Sequence, residues 1–448
     1  MKVFKLILLI SLISLARLNA QDPDSLARVL SLEEAINIAL ENNFDIQIAR
    51  NDLQIAQNNN VVGNAGLLPR VDLNGGYDYS SNDAKLTFAN PEQPPIEASG
   101  AVTKALAGTA IVRYNLYSGG SRLNTLRQLE NLNYIGQLQL RASMELTILN
   151  VMDQYLTSVA RLAELNLREE SVIISLDRYQ RAKENYAFGA FSKVEFLNAE
   201  VDLRNDSTSL IDARLRFENS LKNLNNVMGI SPDSVLYVAD EISYNENLDL
   251  GLMLDEALMQ NSNYLISRAN MDLSELDVKI ARANYFPTLD FSGGYIYSKS
   301  DNEASFITTS RNNGWTTGLT LSYNIFNGGN TRRAERNAKI RTETSQVMIE
   351  KTENQLKTDL LTNFNNFETN KELLALTIRN LELAEANYQR SQEAFTTGEI
   401  TGLQLREAQL NLLSARFNVI QLRIQTKVSE VNLYYLSGTL VEPVENLN

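Results

Sequence analysis

The stretch "YNIFNGGNTRR", Tyr323–Arg333, divides two kinds of sequence. Before it, apolar and polar side chains alternate, as they do along a strand. After Gly329 come 68 residues, Asn330–Thr397, with neither glycine nor proline. The division is written twice. "YNLYSGGSR", Tyr114–Arg122, lies 209 positions earlier and also separates a strand-like run from a very long helical one.

The copying extends well beyond the junction. An offset of 218 lays "LPRVDLNGGYDYS" (Leu68–Ser80) on "FPTLDFSGGYIYS" (Phe286–Ser298). An offset of 209 lays Tyr114–Gly229 on Tyr323–Gly438 without a gap. The difference between the two offsets falls between the paired strands, where loop length varies freely. Two long copies make a duplicated half rather than a solenoid, which needs several short repeats.

Each half reads as helix, strand, strand, helix, helix. The opening helices run from Leu32 to about Gly66 and from about Leu252 to Tyr285, with Pro69 and Pro287 marking their ends. The strands follow at about 70–80 and 106–117, and at 288–298 and 315–326. Val71, Leu73, Tyr77 and Tyr79 alternate with Asp72, Asn74, Asp78 and Ser80, and Leu106, Ala110, Val112, Tyr114 and Leu116 share one face of the return strand. Long helices are expected over 120–187 and 330–397, turning at tips 188–192 and 398–401 into helices 193–228 and 402–436. The first repeat spans 21–230 and the second 251–438, with a connecting segment 231–250 and a tail 439–448. The double glycines Gly119-Gly120 and Gly328-Gly329 lack the Lys-Ser/Thr of a phosphate-binding loop, so they read as suppliers of unusual backbone angles.

The long helices set a length. At 1.5 Å per residue, Asn330–Thr397 extends about 100 Å, more than one globular core requires. Leu360, Phe367, Leu374, Leu381, Tyr388 and Phe395 recur every seven residues, which is coiled-coil spacing, and the stripe is narrow. Such a helix touches lateral neighbours and leaves two faces wet. Two shorter helices stacked end to end match one long one, giving four helical columns per chain.

The strands set the other dimension. Each expected strand has about the 9–11 residues that cross a bilayer when tilted. Tyr77, Tyr79, Tyr295, Tyr297 and Trp315 gather at the loop end, and Tyr114, Tyr117, Tyr323 and Phe326 at the helix end. Two aromatic levels flanking an apolar band form a membrane girdle. Four strands cannot close a barrel by themselves, because membrane barrels begin at about eight and lipid tolerates no open sheet edge. Several chains must contribute.

Composition narrows the chemistry. Residues 1–20 read as a secretory signal peptide: Lys2 and Lys5 precede the apolar run Leu6–Leu15, and "LNA" ends at Ala20. Without its three positive charges the balance moves from −13 to about −16, which argues against nucleic acid as a partner. The chain has no cysteine and no histidine, which excludes disulfides, thiolate metal sites and the commonest general base. No catalytic residue, cofactor or metal site is expected.

With its duplicated helix–strand–strand–helix plan, its "FNGG" junction and its paired tips, the chain resembles the TolC-type outer-membrane efflux proteins. The tips are "YAFGAFSKVEFLNAEVDL" from Tyr186 and "FTTGEITGLQLREAQLNL" from Phe395. The resemblance implies a mostly α protein with a transmembrane β-barrel. Three copies would build a 12-stranded barrel continuing into a 12-helix α-barrel tunnel. It also implies outer-membrane lipid around the barrel, a periplasmic adaptor protein, and an inner-membrane transporter of RND, ABC or MFS type. The activity implied is a passive exit duct for efflux or type I secretion. Phe188, Gly189, Ala190, Thr397, Gly398 and Glu399 would face the adaptor.

Acidic residues after the tip glycine narrow the entrance in relatives. Those positions here are Gln404, Glu407 and, in the first half, Glu195; a solvated helix face competes with that role. Gln404, Phe395 and Ile400 depart from the relatives' pattern, which puts their entrance latch in question. Arg122, Arg127, Arg332, Arg333 and Arg336 open the long helices and would meet lipid headgroups there. Two other classes compete with the duct. An exported coiled-coil structural or adhesive protein explains the helices and leaves the aromatic strands without a purpose. A carboxylate hydrolase lacks an evident pocket-forming domain.

Overall fold

The computed structural model describes residues 29–90, 92–239, 242–305 and 307–441; the expected signal peptide and the end of the tail lie outside them. Each half contains the expected helices and strands, with one systematic difference. The opening helix is broken in both copies. α1 (Leu32–Asn42) and α2 (Phe44–Asn59) are separated by Asn43, and their counterparts α5 (Leu250–Gln260) and α6 (Ser262–Ala283) by Asn261. The two asparagines are 218 positions apart, the offset that aligns the halves.

Each asparagine breaks the helix by starting the next one. Asn43 is extended (φ −61°, ψ 134°), and its Oδ1 accepts from the backbone N–H groups of Asp45 (2.8 Å) and Ile46 (3.2 Å). Asn261 accepts from Tyr264 N–H at 3.0 Å. Hydrophobic periodicity runs on through such a break, so the sequence reads as one helix where side-chain capping makes two.

The chain folds as two compact units. The first comprises Met1–Gln47, Ser143–Met253 and Asp359–Leu436. Its core gathers Leu30, Ala35, Ala39, Val151, Tyr155, Val159, Leu224, Met228 and Val238, all buried. A short parallel bridge joins β1 (Val29–Leu30), just before the first helix, to β4 (Tyr237–Val238) in the expected connecting segment 231–250. Tyr155 explains it. Its hydroxyl donates to the Leu30 carbonyl at 2.8 Å and accepts from Ala239 N–H at 3.1 Å, so one buried phenol ties both strands to a helix.

Two hairpins complete this unit: α3 (Ser121–Ala187) with α4 (Lys193–Val227), and α7 (Asn330–Thr397) with α8 (Gly402–Ser437). Both long helices contribute a stretch to each unit. Leu360, Phe367 and Leu374 of the seven-residue series are 0%, 0% and 4% exposed, and Val151 and Ser158 on the copied stripe are 0%. Burial fades toward Tyr186 and Phe395 near the tips.

The helix ends meet as the end-to-end stacking requires. Gly229, past α4, has φ +74°, and a Cβ there would lie 2.3 Å from the Asn42 carbonyl oxygen. Asn43 Nδ2 donates back to the Val227 carbonyl at 2.7 Å. In the other half Gly438 (φ +76°) packs in the same way on Gln260–Asn261. The α4 end therefore abuts the α2 start, and the α8 end abuts the α6 start.

The second unit comprises Ile48–Ala142, Leu254–Thr358 and Ser437–Asn448. It holds a four-stranded antiparallel sheet in the order β2-β3-β5-β6: Arg70–Leu86, Ile96–Ser118, Thr288–Asn302 and Thr309–Ser322. β2 and β3 run well past the expected 70–80 and 106–117, because the polar stretch beyond Ser80 keeps pairing up to Leu86↔Ile96. β6 stops at Ser322, short of the expected 326. Its partner β5 starts at Thr288, directly after Pro287, which carries no N–H to extend the ladder. A bulge between Asn115 and Tyr117 takes Leu116 out of the alternation and gives its place to Tyr117, opposite Leu289.

Gly119 (φ +62°) and Gly120 (φ +82°), and their copies Gly328 (+66°) and Gly329 (+76°), are all left-handed, so the backbone reading of the glycine pairs stands. A Cβ on Gly119 would also meet the Ala283 carbonyl oxygen at 2.5 Å. Arg122 donates to the Gly66 carbonyl, and Arg333 to the Gly328 carbonyl and Asn330 Oδ1. These two guanidiniums lock the junction rather than standing free for lipid. No helix among the described residues is long and apolar enough to cross a membrane.

Candidate functional site

The sheet is chemically two-faced, and its register shows how. Residues directly opposite in a ladder point to the same side. One face carries the rows Leu289–Leu321, Tyr114–Phe291–Leu319, Val71–Val112 and Leu73–Ala110–Tyr295–Trp315. These apolar side chains are open: Leu73 is 83% exposed, Trp315 82% and Leu321 69%. The other face carries Asp72, Arg113, Asn115, Asp290, Ser292 and Thr320, where Asn115 Nδ2 donates to Asp290 Oδ1 at 2.8 Å. Water-soluble sheets place these faces the other way round.

Of the nine expected girdle residues, seven lie on the apolar face of the ladder: Tyr77, Tyr79, Tyr114, Tyr117, Tyr295, Tyr297 and Trp315. Tyr295 and Trp315 are direct cross-strand partners packed edge to face, with ring centroids 5.3 Å apart. Asn313 Nδ2 donates to the Tyr295 hydroxyl at 3.1 Å, which leaves that ring with a wet end and an apolar body. Tyr323 and Phe326 fall beyond β6, in the irregular link to α7, and are 60% and 86% exposed.

In the first unit the two tips are built alike. Gly189 and Gly398 adopt φ +78° and +79°. Ala190 N–H reaches back to the Asn185 carbonyl at 2.8 Å, and Glu399 N–H to the Ala394 carbonyl at 2.9 Å. This is the glycine-dependent helix stop that satisfies the last carbonyls. A Cβ on either glycine meets nothing within 4 Å, so the turn itself demands glycine. Phe188, 87% exposed, and the exposed pair Thr397 and Glu399 stand at the ends of their hairpins.

The three expected entrance residues have different surroundings. Glu195 closes a capping box: Ser192 N–H donates to its Oε2 at 2.8 Å, and its own N–H donates to Ser192 Oγ at 3.2 Å. Gln404 does the same for α8, accepting from Thr401 N–H at 2.9 Å. A glutamine makes the same capping hydrogen bond as a glutamate, so the neutral residue at this position gives up only the charge's interaction with the helix dipole. Glu407 is exposed and keeps its carboxylate free of hydrogen bonds and ion pairs among the described residues.

Above the tips lies a polar cluster that reading the sequence did not find. Arg406 of α8 donates to both oxygens of Asp206 of α4, at 2.8 and 2.7 Å, and to Gln409 Oε1 at 3.2 Å. Arg178 of α3 pairs with Asp202 and reaches the same Gln409 oxygen at 3.4 Å. Asp206 is 5% exposed as a side chain, Arg178 8% and Arg406 12%. The cluster joins the α3–α4 hairpin to α8. A signal existed for half of it: Arg178 and Asp202 are equidistant in sequence from Ala190, as facing residues in a helical hairpin are. Nearby, Arg416 bridges Glu170 (2.7 Å) and Glu385 (3.4 Å). Burial, followed by the Glu170 charge, pushes the Tyr388 phenol above its usual range. No group of acidic residues among the described residues could hold a metal ion.

Comparison with known proteins follows the same two-part plan. Residues 35–230 and 253–439 match the family described as Outer membrane efflux protein. The protease secretion protein PrtF of Dickeya chrysanthemi is 22% identical over 438 residues, covering 93% of this chain and 90% of its own. The cation efflux system protein CusC of Escherichia coli O157:H7 is 21% identical over 408 residues, covering 90% of this chain and 85% of its own. The crystal structure of the Campylobacter jejuni CmeC outer membrane channel superposes with a TM-score of 0.74 at 18% identity, covering 93% of this chain and 88% of that one.

Proposed function

The chain belongs to the outer membrane efflux protein family, and from that membership we propose that three copies close their four-stranded sheets into one 12-stranded barrel. It is an outer-membrane exit duct of a Gram-negative cell, with its helices forming the periplasmic tunnel. The family is one of channels rather than of enzymes.

The observation that carries the trimer is the sheet. Its apolar face is open, and β2 and β6 each lie at an edge. Burying that face in lipid with an unpaired edge would leave a row of backbone groups without partners, several kcal/mol for each. Pairing β6 of one copy with β2 of the next removes every edge at once. The polar face then lines the lumen, and the tunnel beneath is made of 12 helical columns.

The adaptor of such a duct would meet the tips Phe188, Gly189, Ala190, Thr397, Gly398 and Glu399, and an inner-membrane transporter of RND, ABC or MFS type would supply the energy. Exposed Phe188 supports an apolar anchor in that contact. At the entrance, three copies of Glu407 would form the acidic ring. Glu195 and Gln404 contribute as caps that fix the hairpin ends.

Conductance in planar bilayers under asymmetric salt tests the reading. A trimer with a cation preference that falls in Glu407→Gln is the expected result. A stable detergent-extracted monomer, or material washed from outer membranes by carbonate, would overturn it in favour of an exported coiled-coil protein.

A further inference from the structure

The apolar face of the sheet changes character at its loop end. Two same-face positions beyond Trp315, about 13 Å along the strand, β6 carries Arg311. Arg311 stands directly opposite Lys299 of β5, and Lys299 opposite Leu106 of β3. One row further out, Lys104 faces Asp301. Three cations and one carboxylate therefore lie on the face that carries the aromatic residues, in the rows of Tyr77 and Tyr79 and starting two rows beyond Tyr295 and Trp315. On the opposite face, the rows at this height hold only Asp78 among charged residues, beside Ser80, Thr103, Ser298, Ser300 and Asn312.

That distribution runs against two tendencies. The chain is acidic, at −13 overall, so a net basic excess in one place is not what composition supplies. Like charges directly opposite in a ladder also repel, and Lys299 and Arg311 are such a pair. Asp301 hydrogen-bonds only one of the cations, and its charge also acts on Lys104 opposite. It accepts from Lys299 Nζ at 2.7 Å and from Thr309 Oγ1 at 2.8 Å. Lys104 and Arg311 are exposed and make no hydrogen bond or close ion pair among the described residues. One carboxylate serves three cations, leaving a net positive cluster in which Arg311 has no acidic partner within ion-pair distance among the described residues. All three have stems long enough to lie along apolar surface while the heads reach outward.

We propose that Lys104, Lys299 and Arg311 form a binding site, one per subunit, for the phosphate groups of lipids in the outer leaflet. A phosphate between Lys299 and Arg311 converts their repulsion into two charge-assisted contacts, with the guanidinium able to take two oxygens at once. The tails of the same lipid then lie over Tyr295, Trp315 and Leu73. This inference rests on the membrane-barrel reading, which sets that face against lipid and the loop end outside.

The test uses the full chain in nanodiscs, with native mass spectrometry counting bound lipid. The probes are a bisphosphorylated glycolipid, the same glycolipid with its phosphates removed, and inorganic phosphate. Retention of the bisphosphorylated form, in preference to the dephosphorylated one, is expected. K104Q/K299Q/R311Q should weaken it by tenfold or more, as charge-assisted contacts are lost, while Arg390→Gln, exposed near the tip of α7, should leave it unchanged. Inorganic phosphate displacing the glycolipid would overturn the lipid assignment in favour of a free-anion site. Equal retention by the triple variant would overturn the site itself. Bilayer conductance of the same samples separates the two levels: a conducting trimer without phosphate preference removes only this site, whereas loss of the channel in the unmodified chain removes the reading beneath it.

Discussion

Arg406 of α8 holds Asp206 of α4 by two parallel hydrogen bonds of 2.8 and 2.7 Å, deep enough that the carboxylate is 5% exposed. The pair belongs to one molecule yet connects its two duplicated hairpins. Removing one partner from a buried pair leaves the other charge stranded, at a cost of about 3–5 kcal/mol. Arg406→Leu or Asp206→Leu is therefore expected to lower the urea midpoint of the detergent-solubilised protein sharply. R406L/D206L should recover most of the loss, since two apolar side chains need no compensation. A double variant as unstable as the sum of the singles would show that the ion pair is not the unit that matters.

Two left-handed glycines should respond differently to the same change. At Gly398 an added methyl meets open space, so Gly398→Ala pays only the backbone term, about 1–2 kcal/mol. At Gly229 the methyl would sit 2.3 Å from the Asn42 carbonyl oxygen, and the joint between α4 and α2 must shift. Gly229→Ala is expected to be the more damaging by about 1–3 kcal/mol of added overpacking. Denaturation midpoints of the two variants, compared side by side, decide the order.

Asn43 offers a separable test of the helix break. Its oxygen caps α2, and its nitrogen serves the Val227 carbonyl. Asn43→Asp keeps the cap and loses the donor, whereas Asn43→Ala loses both. The alanine variant should lie about 1–2 kcal/mol below the parent, with the aspartate between them. Aspartate falling below alanine would mean that a buried carboxylate facing the Val227 carbonyl costs more than the cap contributes.

Glu335 contributes to the acid limb of stability near the strand–helix junction. Hydrogen bonds from Lys339, then Arg282, then Tyr285 hold its carboxyl at about 2, below the ordinary 4.5. A depressed folded value means that the contribution is complete above about 4.5 and fades as pH falls toward about 2. Glu335→Gln should lessen the fall of the melting temperature over that window and leave it little changed at pH 7 relative to its own pH 5 value. Between pH 6 and 8 the parent curve should itself be flat, because the chain has no histidine to titrate there.

Some of this protein could be read directly from the residues, and the reason is periodicity. The seven-residue series through Leu360 and Phe367 fixed the long helices and their buried stripe, and the alternation through Leu73 and Tyr295 fixed the two-faced sheet. The duplication fixed the junction glycines. All are local signals, repeated often enough to outweigh noise. What only the folded chain decided is where the polar side chains spend their hydrogen bonds. Asn43 and Asn261 divide helices that hydropathy runs straight through. Glu195 and Gln404 turn out to cap. Arg406 finds Asp206 two hundred positions away. Hydrophobic burial depends on which face a residue occupies, and spacing along the chain reveals that. A hydrogen bond depends on which partner arrives within 3 Å, and only the tertiary packing settles that.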